Sequence, residues 1–234
     1  EYINQKFYLE NASFSTLIDI FDEGTARFYG LGRRTTEEDR LNYNQREQTF
    51  QIKVGYILSK YAELNLRFEY LNVNIKRGAD DRIKQVLDFY EDDPLIRKET
   101  SFSSTLNIGL NLLGELEEKE AFLKLSGWGE HGVCFYKLNE DFDKWGSELK
   151  WFWQFEPLLA LAGSVNYQEV HGNDLPFYHL STLGGSRSLR GYELGRFYDK
   201  NSVQAMTELR WKFYHLEKFG FNTDWDLSFF YDFC

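Results

Sequence analysis

Apolar and polar residues alternate with a period of two over segments of about ten residues, and few folds can use that pattern. In residues 49–58 the even positions are Phe50, Ile52, Val54, Tyr56 and Leu58, set against Thr49, Gln51, Lys53, Gly55 and Ile57. Successive side chains of a strand point to opposite faces, so such a segment has one apolar face. Residues 63–70 alternate strictly, with Glu63, Asn65, Arg67 and Glu69 against Leu64, Leu66, Phe68 and Tyr70. Leu71, Val73 and Ile75 then carry apolar residues on the other parity, and a single β-bulge after Tyr70 is the expected cause. Segments 101–112, 145–155, 159–167, 203–213 and 225–233 repeat the alternation, and further strands are expected at 7–20 and 119–129.

Short and long connections alternate between these segments. Short turns are expected near 59–62, 114–118, 156–158 and 216–218, and long polar connections at 76–99, 130–144 and 171–201. A soluble sandwich also alternates, so composition has to decide. Aromatic residues make up 18% of the chain, yet mean hydropathy is −0.53. A wall that is apolar toward lipid and polar toward a lumen reconciles those two values. No stretch approaches the roughly 18 consecutive apolar residues of a membrane-spanning helix. The expected fold is all-β, an antiparallel transmembrane β-barrel in one domain, 1–234.

Several chemistries are disfavoured. With 37 acidic and 27 basic residues the net charge is −10, which argues against a nucleic-acid partner. Cys134 and Cys234 have no metal or redox spacing. His131, His171, His179 and His215 show no paired ligand spacing. The first three are expected as solvated side chains of external loops, and His215 at a turn. Ser186 and Ser188 lie near His179, but Gly-Gly-Ser-Arg-Ser is not a nucleophile elbow. The expectation is no catalytic residue, no metal and no cofactor.

The segment 171–201 contains Gly184-Gly185-Ser186-Arg187-Ser188-Leu189-Arg190-Gly191-Tyr192. Alone, that is a glycine-rich surface loop with solvated arginines. The strands that follow it change the reading. Thr207, Leu209, Trp211 and Phe213 form one apolar face, which turns Glu208, Arg210 and Lys212 toward the lumen. Trp225, Leu227, Phe229, Tyr231 and Phe233 form the next, which turns Asp224, Asp226 and Asp232 inward. Glu208 and Asp232 therefore lie on adjacent strands below a loop that carries Arg190. A planar guanidinium can bridge two carboxylates and pin a folded-in loop to the wall.

These residues resemble the barrel domain of the bacterial surface antigen superfamily, which includes BamA-like outer-membrane assembly factors and two-partner-secretion transporters. Leu189-Arg190-Gly191-Tyr192 resembles the family's sixth-loop motif. Thr207-Glu208-Leu209-Arg210 resembles the strand after it, and Phe229-Phe230-Tyr231-Asp232-Phe233 the motif after that. Arg27-Phe28-Tyr29-Gly30-Leu31-Gly32, with Thr35 and Thr36, resembles a more weakly marked family segment. Cys234 stands where the family commonly has glycine, and a mid-barrel Asp-x-Arg-x-Asn segment is not visible around 112–122. A closed barrel of family type implies about two more strands, so the segment is expected to be incomplete at both ends.

The resemblance implies a bacterial outer-membrane protein that inserts, assembles or translocates other proteins. Arg190 would lock the loop, with Glu208 and Asp232 as acceptors. Gly184, Gly185 and Gly191 would allow the tight loop path, Leu189 belongs to the same motif, and Tyr192 would pack on the inner wall. Implied partners are outer-membrane lipid and lipopolysaccharide, unfolded client proteins, and other assembly subunits or a second barrel chain. Two alternatives stay open. One is a passive pore that keeps the loop as a structural pin. The other is an anchoring barrel that carries an enzyme domain outside this segment.

Overall fold

The structure is a computed structural model and describes residues 2–90, 93–96, 98–112, 121–135, 140–218 and 221–234. Its strands are β1 (Tyr2–Leu9), β2 (Ala12–Phe28), β3 (Leu41–Ser59), β4 (Ala62–Lys76), β5 (Glu99–Asn111) and β6 (Ala121–Cys134). They continue with β7 (Glu140–Glu156), β8 (Leu159–His171), β9 (Ser181–Leu183), β10 (Phe197–Asp199), β11 (Asn201–Lys218) and β12 (Phe221–Phe233). Ten of them form one antiparallel sheet in the order β1-β2-β3-β4-β5-β6-β7-β8-β11-β12, and β9 and β10 pair with each other. The large sheet is open, with β1 and β12 as its edges. No described helix is long and apolar enough to cross a membrane.

The two faces of this sheet differ as a barrel wall requires. Phe50, Phe68, Phe102, Trp153 and Phe229 all point outward and are exposed. On the inner face Arg67 donates to Thr105 Oγ1 at 2.9 Å and lies 3.4 Å from Glu130. Lys144 lies 3.7 Å from the same carboxylate, and Lys124 donates to Glu63 at 2.5 Å. Apolar residues on the outer face and paired charges on the inner one are the inverse of a soluble fold.

At the long-loop end the inner face becomes apolar. The β3–β4 register runs unbroken from Asn44↔Lys76 to Ile57↔Glu63, so β4 has no bulge after Tyr70. Leu71, Val73 and Ile75 therefore share the inner face with Arg67 and Glu69, and Val73 and Ile75 are buried. The expected bulge is replaced by a core. A change of parity lies instead in β2, where the register shifts between Glu23 and Ala26. That shift turns Ala26 and Phe28 inward, opposite Tyr43 and Leu41. They pack with Phe142, Val170 and Phe177 in one buried cluster. Each fully buried aromatic or aliphatic side chain contributes roughly 1.5–3 kcal/mol.

Several boundaries differ from the sequence reading. Residues 7–20 span two strands, because the chain turns at Glu10 and Asn11 between Leu9 and Ala12. Strands β6 and β7 extend through most of the expected loop 130–144, and β11 continues through 216–218. A register shift between Lys212 and Tyr214 sets Tyr214, not Phe213, opposite Trp225. The turn expected at 114–118 lies outside the described residues, as do parts of 112–122 and of the strand at 119–129. The side chains of His215 and Asp224 lie outside them too.

Candidate functional site

The loop between β8 and β11, residues 172–200, folds back over the apolar core. Phe177 and Leu180 enter that core, and the chain then runs out along β9 and returns along β10. Phe197 pairs with Leu183, so residues 184–196 form the tip of this hairpin. Gly184 and Gly185 have φ of 120° and 84°, a region that side chains with a Cβ rarely adopt. At Gly184 a Cβ would lie 2.1 Å from the Glu193 carbonyl oxygen. Ser188 Oγ accepts from the Gly184 N–H at 2.6 Å and donates to the Gly184 carbonyl at 3.0 Å. Leu189 is buried, and Tyr192 N–H donates to the Leu189 carbonyl at 3.0 Å. The tip is thus a compact turn whose shape fixes the direction of Arg190.

Arg190 meets both carboxylates. Its Nη1 donates to Glu208 Oε2 at 3.0 Å. Its Nε donates to Asp232 Oδ2 at 2.9 Å and its Nη2 to Oδ1 at 2.6 Å, a bidentate pair. The Arg190 backbone N–H also donates to Asp232, at 3.0 Å. In the β11–β12 register Met206 faces Asp232 and Glu208 faces Phe230, so the two acids are diagonal neighbours on one face. Phe230 fills the place opposite Glu208, and the guanidinium stacks over its ring at 3.9 Å. Glu208 takes a second cation, Arg210, at 2.7 Å. The Asp232 side chain is 8% exposed and those of Arg190 and Glu208 about a fifth, so the cluster is partly desolvated.

The other side of the tip is held by the first strand-end segment. Glu193 accepts from Arg27 and from Tyr29 Oη, the latter at 2.8 Å. Those two donors hold its carboxyl below the ordinary glutamate value, Arg27 contributing most. Arg196 is buried, and donates to Thr35 Oγ1 at 2.8 Å and to the Thr35 carbonyl at 2.6 Å. Its guanidinium lies over the rings of Tyr29, at 4.4 Å, and Phe197, at 4.5 Å. Gly32 N–H donates to the Tyr198 carbonyl at 2.8 Å. The loop therefore bridges the beginning and the end of the ten-stranded sheet.

The domain profile of the Omp85 superfamily matches residues 1–234. The chain belongs to the Omp85 superfamily. Barrels of this superfamily work in the bacterial outer membrane, inserting or translocating client proteins together with other assembly subunits. Their members are transporters and assembly factors rather than enzymes. No curated protein matches this sequence.

Within this Omp85 chain, other motif residues fall elsewhere than expected. Tyr192 does not pack on the wall: it is exposed and sits edge-on to Phe197 of its own loop, centroids 5.2 Å apart. Gly191 has no positive φ, and a Cβ there would meet nothing within 4 Å, so the tight path rests on Gly184 and Gly185. His131 lies in β6, 2.9 Å from Asp143, and His171 ends β8, 3.0 Å from Glu169. His179 is not solvated; it is 2% exposed, beside buried Cys134. Two contributors, Glu193 and Arg196, escaped the sequence reading, and Phe230 entered it as a motif residue without a role. Phe230 had a signal, its even position in β12. Glu193 and Arg196 had none, because an irregular loop carries no parity.

Proposed function

We propose that this barrel inserts or translocates proteins at the outer membrane, and that Arg190 locks its infolded loop against Glu208 and Asp232. The observation that carries this reading is the convergence of one guanidinium on two wall carboxylates from neighbouring strands. The mechanism is physical and needs no covalent step. A client strand pairs with an exposed sheet edge by β-augmentation, supplied with backbone donors and acceptors that lipid cannot provide. The loop meanwhile fixes the inner surface against which the client arrives. The site chemistry suits that task, since a charge cluster of this kind holds geometry rather than reacting.

The test pairs two measurements on the full-length protein in liposomes. The folding rate of an unfolded client barrel is followed by gel shift, and single-channel conductance is recorded on the same preparation. Faster client folding that Arg190→Ala or Asp232→Ala removes supports the reading. Unchanged client folding with a steady open conductance overturns it in favour of a passive pore.

A further inference from the structure

Behind the hairpin lies a second cluster, formed by Glu99, Cys134 and His179. Glu99 opens β5 and Cys134 closes β6. In their register Ser101 faces Cys134, which puts Glu99 diagonally beside the thiol on the inner face. His179 comes from the loop, at the end of the 3-10 turn Phe177–His179, and its ring packs on Phe142 with centroids 4.6 Å apart. Exposure is 4% for Glu99, 0% for Cys134 and 2% for His179. Cys134 Sγ lies 3.9 Å from His179 Nε2, which lies 3.8 Å from Glu99 Oε1. All three ligand atoms fall within 4.8 Å of one another.

The geometry points to a zinc-class divalent metal site that ties the loop to β5 and β6. Sulfur, imidazole nitrogen and carboxylate oxygen are the donor set such an ion takes. With bonds of about 2.3 Å to sulfur and about 2.0–2.1 Å to nitrogen and oxygen, tetrahedral ligand atoms stand roughly 3.3–3.6 Å apart. The two spacings to His179 need to contract by only a few tenths of an ångström, and the Glu99–Cys134 separation, which lies within 4.8 Å, closes by a rotamer adjustment of up to about 1 Å. Charge points the same way. Binding releases the thiol proton to solvent, and thiolate plus carboxylate then neutralise a doubly charged ion around a neutral imidazole. A neutral unit is what an apolar core can hold at modest cost. The fourth position is left to water. This site is separate from the Arg190 cluster and does not depend on the proposed function: it would clasp the base of the loop, whereas Arg190 holds its tip. Sequence spacing could not reveal it, because three separate elements each supply one ligand.

The test uses the full chain folded in detergent, on a Cys234→Ser background that removes the exposed second thiol. Cobalt(II) is titrated as a spectroscopic probe. We expect one equivalent per chain, a near-ultraviolet thiolate-to-cobalt charge-transfer band, and displacement by zinc(II). Cys134→Ser abolishes the band, and His179→Ala and Glu99→Gln each weaken binding on the order of 100-fold. Heat-modifiable gel mobility reports whether each variant is folded. If a variant does not fold, the rate of Cys134 alkylation in mild denaturant, where the buried thiol becomes reachable, with and without zinc in the Cys234→Ser protein, decides the matter. No band and no protection in that protein, or a band that survives Cys134→Ser, overturns the site and leaves His179 and Glu99 as a buried polar contact.

Discussion

The two sides of the loop tip are held by different physics. On the β11–β12 side one cation meets two carboxylates, and the interaction is concentrated in Arg190. On the opposite side it is spread over Glu193 and Arg196, and Arg196 leans mainly on neutral oxygens of Thr35 and on aromatic faces. A concentrated charge cluster punishes loss of its centre, because two inward acids then lose their shared cation. A distributed anchorage gives way in smaller steps. Under the proposed function Arg190 would be the lock, and the Glu193–Arg196 side a more gradual seat.

Substitutions separate the two sides, read out as hydrogen exchange of loop amides 184–196. The largest effect is expected from Gly184→Ala, which strikes both sides at once. Its Cβ collides with the Glu193 carbonyl and its φ of 120° is strained, so docking weakens by about 3 kcal/mol. Gly191→Ala is the matched control and should leave exchange unchanged, since a Cβ there meets nothing. Equal effects from the two alanines would dissolve the distinction between the glycines.

Arg190→Ala comes next and frees the β11–β12 side alone. The cluster is part-exposed, so about 2 kcal/mol is expected, or roughly 30-fold faster exchange. Arg190→Lys restores part of this, because an ammonium cannot reproduce the bidentate fork. Heat-modifiable gel mobility should survive, since Arg190 itself lies outside the strand ladder; its loss would make Arg190 part of the fold. Arg196→Ala should cost about 1–2 kcal/mol and leave the Arg190 contacts intact. An effect larger than that of Arg190→Ala would reverse the assignment of lock and seat.

The smallest effect is a pH dependence. Glu193 is held below its ordinary value of 4.5, chiefly by Arg27. A lowered folded value means its contribution is complete above 4.5 and is lost as pH falls through the folded value. Loop exchange should therefore rise on acidification below that point, and Glu193→Gln should remove this acid-sensitive component. An identical acid profile in the glutamine variant would take Glu193 out of the anchorage.

The sequence was readable where backbone geometry is periodic. In β3, β5, β7 and β12 alternation sets which residues face outward, and the same parity turns Glu208 and Asp232 to one face. It misled where packing overrides a simple lipid-and-water rule. Val73 and Ile75 look like a slipped outer face, because alternation shows that two faces differ but not whether the inner one is wet or dry. The break at Glu10 and Asn11 lacks glycine or proline, so two strands read as one. His179 lacked a signal because its burial is created by the return path of a loop, and no local pattern encodes that path.

The apolar layer at the long-loop end has a consequence for permeability. Below it the inner surface carries paired charges and suits water; at the layer Phe28, Tyr43, Phe142 and Phe177 present mainly hydrocarbon, with few polar groups among the described residues. A hydrated ion arriving there would have to shed its solvent against hydrocarbon, a cost of many kcal/mol. On the proposed function, the same packing that seats the loop would act as an insulating septum, and leakage would measure how often the loop departs.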